Sequence, residues 1–158
     1  MSIVQGAMLT QNYSALGENT PALGDLFFGT GGKVYKFVQF DTGAGAVAAV
    51  VGNFCYYYAV SGASAGQTTV VTMDLTDTAG VGAGVLQAVL GDGEYGWIQI
   101  GGPATLTTAL TAGADGNALT PVGAGADGTL DVSALVTDHI CAIAVDASAK
   151  IVMVTCPM

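Results

Sequence analysis

Gly91-Asp92-Gly93-Glu94-Tyr95-Gly96-Trp97-Ile98-Gln99-Ile100-Gly101-Gly102 is the stretch whose reading decides the fold. Asp-Gly favours a turn because glycine accepts a positive φ that other residues reach only at a steric cost. Beyond it the chain alternates: Gly96, Ile98 and Ile100 face one way, Tyr95, Trp97 and Gln99 the other, which is the period of a strand. Gly101-Gly102-Pro103 is expected to end that strand, since proline donates nothing to a ladder and paired glycines weaken one. Strand-like runs flank it at Val85–Leu90 and Ala104–Ala109. The centre of the chain therefore reads as a turn and strand of an all-β domain.

Working outward, Val34–Phe40 alternates Val34, Lys36, Val38 and Phe40 against Tyr35, Phe37 and Gln39. Both sets are largely apolar, so both faces of this strand require cover. Ala44–Val51 is rich in alanine and closed by Gly52, a pattern that predicts one or two helical turns. Phe54–Val60 and the β-branched Thr68–Asp74 read as strands around a Ser61–Gly66 loop. Downstream, Gly113-Ala114-Asp115-Gly116 recurs as Gly125-Ala126-Asp127-Gly128, two Asp-Gly turns each followed by a leucine. Val132–Val136, Ile140–Val145 and Lys150–Thr155 supply closing strands. Short strands separated by glycine turns predict an all-β fold, a compact β-barrel or sandwich with one short helix. Residues 1–24 follow no clean period and form an extended N-terminal arm, leaving 25–158 as a single β-rich domain. The arm reads either as a segment that orders against a neighbour or as an ordinary edge strand and loop.

Composition excludes several functions. The chain has 158 residues, 51% hydrophobic and 9% charged, with 24 glycines, about twice the usual share. Arginine is absent; Lys33, Lys36 and Lys150 face twelve acids, for a net charge of -9. Nucleic acid and anionic membranes are both recruited through Lys and Arg, so neither is an expected partner. The weakly charged surface suits packing against other chains. Cys55, Cys141 and Cys156 lack metal-binding spacing and read as reduced core thiols of a protein made in the cytoplasm. The N-terminus has no signal-peptide pattern, and Gly43–Val60, with Asn53 and three glycines, is rejected as a membrane span.

Three motifs suggest chemistry. Gly43-Ala44-Gly45-Ala46-Val47-Ala48 matches a dinucleotide fingerprint but lacks the long helix and the acid about 20 residues on. Gly62-Ala63-Ser64-Ala65-Gly66 matches a nucleophile elbow, which would pair Ser64 with His139 in a small hydrolase. His139 has no companions for a zinc site. The reading is therefore a non-enzymatic protein without cofactor or metal.

From about Gly24 to Val154 the chain resembles the decoration, or cement, proteins of tailed-bacteriophage heads. The similar features are the opening strand Lys33–Phe40, the Ala-rich turn Ala44–Val51 and Gly-x-Tyr-Gly-x-x-Gln at Gly93–Gln99. A Gly-Asn-x-Leu turn at Gly116–Leu119 and an apolar final strand pair with Ala142–Val145 complete the likeness; Asn117 stands where the family often carries an acid. The resemblance implies a virion structural protein on the capsid exterior, commonly trimeric, whose partners are the major capsid protein and further copies of itself. A tail or fibre component is the structural alternative. The contact residues expected on this reading are Ile3, Val4, Met8, Leu9, Tyr13 and Leu16 of the arm, together with Trp97.

Overall fold

The computed structural model describes Ser2, Ile3, residues 5–58 and residues 68–158. The protein is all-β, as the alternation predicts. Its strands are β1 (Leu26–Phe28), β2 (Val34–Phe40), β3 (Phe54–Tyr58), β4 (Val70–Thr72), β5 (Thr78–Leu86), β6 (Tyr95–Thr105), β7 (Ala118–Thr120), β8 (Asp131–Val132), β9 (Ala142–Asp146) and β10 (Ile151–Thr155).

The sheet runs β1-β2-β4-β3-β5-β6-β10-β9-β7-β8, and β2 pairs again with β6. That second pairing closes β2, β4, β3, β5 and β6 into a five-stranded barrel. Closure removes edges that would otherwise invite aggregation. Among the described strands, every pairing is antiparallel except β2–β4. Val38, Phe40, Phe54, Tyr56, Leu86 and Ile98 fill the interior, each without solvent exposure. Glycine in β5 permits the wall to close tightly: a Cβ at Gly82 would lie 2.6 Å from the Cys141 sulfur.

Strand β6 is the hinge of the architecture and runs further than its sequence suggests. Tyr95–Gln99 and Gly101 pair with β2, and Gly101–Thr105 then pairs with β10. Gly101-Gly102-Pro103 does not end the strand but redirects it from barrel to outer sheet. Gly102 adopts φ 85, a left-handed conformation that favours glycine, and packs where a Cβ would meet Gly32 O at 2.6 Å. Pro103 sits in register with Met153 on the sheet's exposed side.

The expected helix over Ala44–Val51 is absent. Gly43–Ala46 forms a turn, with φ 73 at Gly43 and φ 52 at Ala46, incompatible with a right-handed helix. Alanine's helix preference loses to three carboxylates: Gly43, Ala44 and Gly45 N–H groups donate to Asp41, Asp77 and Asp74 at 2.8, 2.6 and 2.7 Å. Helical geometry occurs instead as two three-residue 3-10 turns, Thr30–Gly32 and Leu75–Asp77. Both Asp-Gly repeats are turns, and the leucines that follow, Leu119 and Leu130, are fully buried. Among the described residues no helix is long and apolar enough to cross a membrane.

Candidate functional site

The two-sided apolarity of Val34–Phe40 locates the site. Its Val38 and Phe40 side chains enter the barrel core. Its Tyr35 and Phe37 join Trp97 of β6 in a second cluster on the barrel's outer wall. Phe37 and Trp97 meet edge to face at 5.2 Å between ring centroids, and both are fully buried.

The cover over this cluster is the protein's own N-terminal arm. Ala7, Leu9 and Tyr13 pack onto it, joined by Leu23, Phe27 and Tyr95. Tyr13 meets Phe37 edge to face at 5.5 Å. Its backbone pairs with Tyr95: each N–H donates to the other's C=O at 2.9 Å. Glu94 O, one residue earlier, accepts from Phe40 N–H in β2, so Tyr95 directs its own backbone groups to the far side of β6. At the other end of the arm, Ile3 pairs with Leu26 of β1, and the Ser2 N–H and hydroxyl both donate to Asp25. Asn12 donates to Glu94 at 2.9 Å.

Charge assists this latch. Burial raises the affinity of Asp25 for its proton, but hydrogen bonds from Ser2 and the Ala22 N–H outweigh it, leaving the carboxyl below its usual range. Hydrogen bonds from Gly91 N–H and Asn12 likewise hold Glu94 low. One buried group has no such partner: the Trp97 indole N–H beneath the arm is unpaired.

The arm residues singled out in the sequence divide between two sides. Leu9 and Tyr13 face the barrel and come together with Trp97. Ile3, Met8 and Leu16 remain exposed at 69%, 68% and 44%. Val4 lies outside the described residues. Trp97, expected as a contact residue, is instead fully buried under the arm. The cover that both faces of β2 require comes from the same chain, the barrel core on one side and the arm on the other. Tyr35 and Phe37 were not singled out as site residues, although the alternation of Val34–Phe40 carried the signal for them.

A second exposed surface lies on the outer sheet. Pro103, Met153, Ile143 and Ala118 are register neighbours across β6, β10, β9 and β7. Ile143 and Met153 are 43% and 39% exposed, with Val145 beside them at 49%. This row of carbon side chains carries no ionisable group.

Among the described residues, the motifs that suggested chemistry are engaged in the fold or stand alone. Backbone N–H groups of the Gly43–Gly45 turn, where a dinucleotide would place phosphate, are already filled by the protein's own carboxylates. Ser64 lies in residues 59–67, outside the described residues, as do Val60 and the Ser61–Gly66 loop. The Asp138 carboxylate, next to His139 in the chain, accepts from Ala134 N–H, Leu135 N–H and the Ser133 hydroxyl. His139 Nδ1 is buried without a partner. Among the described residues no group of His, Cys, Asp and Glu could hold a metal. The three cysteines are unpaired and buried, and burial pushes the Cys55 and Cys156 thiols well above their usual range. Comparison of the chain with family models, curated proteins and solved structures finds no match.

Proposed function

We propose that this protein is a non-enzymatic virion structural component that binds the outer surface of a phage capsid and stabilises it. It acts as a homo-oligomer, a trimer on the family resemblance, is made in the host cytoplasm and takes neither nucleic acid nor membrane as partner. The observation that carries the reading is the arm: Leu9 and Tyr13 fix it to the barrel while Ile3, Met8 and Leu16 stay exposed. Three large apolar side chains left exposed along one ordered segment support its use as a contact surface for another protein. The uncharged row Pro103, Met153, Ile143 and Ala118 supports self-association, because copies of net charge -9 approach there without opposing carboxylates.

Burial of one such side chain contributes roughly 1.5–3 kcal/mol before ordering is subtracted. Replacing Ile3, Met8 and Leu16 together by serine is therefore expected to weaken capsid binding by more than about a hundredfold. The test is co-sedimentation of the wild type and the triple variant with undecorated expanded capsids. Unchanged binding by a folded triple variant overturns the role of the arm and moves attachment to the barrel loops around Gly91–Tyr95 and Gly113–Gly128. A tail or fibre role is separated from a head role by where the protein sits on the particle.

A further inference from the structure

All three cysteines belong to the main core, and two of them lie at the open end of the last hairpin. Cys141 precedes β9 and Cys156 follows β10. Val154 pairs with Ala142, and the Thr155 N–H donates to Cys141 O at 2.9 Å, so Cys156 sits one residue past the position opposite Cys141. One strand spacing across and one residue along separates their Cα atoms by roughly 6 Å, inside the span of about 4.4–6.8 Å that a disulfide bridges. Regular alternation would point the two side chains to opposite faces, but Cys141 departs from it. Cys141 and Ala142 are both fully buried, and a Cβ at Gly82 of β5 would lie 2.6 Å from the Cys141 sulfur. Val152, Val154 and Cys156 are buried on that same inner side. The Cys156 thiol reaches Cys141 O at 3.5 Å and lies in hydrogen-bond contact with the Cys141 thiol.

We propose that Cys141 and Cys156 are a modification site: in the folded protein they form a disulfide on meeting a small-molecule disulfide such as oxidised glutathione, and the crosslink fastens the open end of the β9–β10 hairpin. The Cys156 thiolate attacks one sulfur of the oxidant, whose S–S bond breaks and releases one glutathione thiolate, which takes up a proton. The Cys141 thiolate then displaces the second glutathione from Cys156. Two protein thiols become one disulfide, and one glutathione disulfide becomes two thiols. Cys156 takes the first step because it is 9% exposed and is followed by the exposed Pro157 and Met158, whereas Cys55 and Cys141 have no exposure. Burial, with the Cys141 thiol beside it, holds the Cys156 thiol well above its usual range, so the attack is slow and quickens as pH rises. Cys55, within β3 opposite Gly84, is left as the free thiol. The setting in which such an oxidant is met, release from the reducing cytoplasm, rests on the virion reading above; the reaction itself does not.

The test holds the folded full-length protein with excess oxidised glutathione at about pH 8, then denatures, alkylates and maps it. The expected product is lighter by two hydrogens, about 2 Da, before alkylation, and is alkylated at Cys55 alone. Trypsin cuts after Lys150, between the two cysteines, so residues 151–158 separate from the rest only after reduction. The oxidised chain should also melt at a higher temperature than the reduced one, because the crosslink constrains the unfolded chain. Cys55→Ala should keep the mass loss and Cys156→Ala should abolish it, and the wild-type map stands whether or not these variants fold. Three free thiols after oxidation, a glutathione adduct that persists on Cys156, or a bridge that includes Cys55 overturns the proposal. A lower melting temperature after oxidation overturns it as well. No capsid enters the experiment, so failure here leaves capsid binding intact, and failure of capsid binding leaves the disulfide intact.

Discussion

Tyr13→Ala isolates the arm from the barrel it covers. The substitution removes the edge-to-face contact with Phe37 at 5.5 Å, and leaves the backbone pair with Tyr95 in place. An aromatic pair contributes about 0.5–1.5 kcal/mol beyond area, and burying about half of a large side chain adds about 1–1.5 kcal/mol. The sum, roughly 1.5–3 kcal/mol, multiplies arm opening by about 12–150-fold. Amide hydrogen exchange reads this directly, because the Tyr95 N–H is protected by Tyr13 O. Its protection should fall by that factor in the variant. The Phe54 and Leu86 amides, bonded to Gly128 and Asn53 inside the barrel, should keep theirs. If Tyr95 protection is unchanged, the arm is not held by this contact. If all three fall together, arm and barrel unfold as one unit and the latch description is wrong.

Other predictions concern the barrel. Gly82→Ala places a Cβ 2.6 Å from the Cys141 sulfur and 2.9 Å from Phe54, so urea unfolding should show a loss of about 1–3 kcal/mol; an unchanged midpoint contradicts the tight closure at β5. Asp25 and Asp74 both hold their protons less tightly than in the unfolded chain. For Asp74, burial opposes this and hydrogen bonds from Thr76 and Gly45 outweigh it. A folded-state value below the unfolded value of about 3.9 gives stability that is present above that pH and lost as pH falls through the folded value. Thermal melts should therefore fall steeply below about pH 4, and less steeply in Asp74→Asn; parallel slopes contradict the reading. Lys36 is 3% exposed, its amine 3.1 Å from the Tyr57 hydroxyl, and burial holds it below the ordinary lysine range. Lys36→Met removes that burden and should leave the melting temperature unchanged or higher; a large drop shows that the Tyr57 contact outweighs it.

The strands were legible where one physical signal acted alone. Val34–Phe40 is β2 from end to end, because alternation there met no competing turn. The Asp-Gly repeats and their buried leucines were equally plain. Signals failed where tertiary contacts overrode local preference. Alanine over 44–51 could not reveal that Asp41, Asp74 and Asp77 would take the backbone N–H groups of the turn. Gly101-Gly102-Pro103 reads as a stop because sequence does not say that β10 waits on the other side. At the candidate site, the need for cover over Tyr35 and Phe37 was legible, but the source of that cover was not. An aperiodic arm gives no sign of whether it folds back on its own barrel, since the apolar residues that join the cluster, Ala7, Leu9, Tyr13 and Leu23, follow no regular spacing.

Locating the protein on purified particles tests the central claim most directly. Tagged copies imaged by electron microscopy should appear as a regular array on the outer face of the head, with none on the tail. Density confined to the tail or to fibres, or particles that carry no copies at all, would contradict the account.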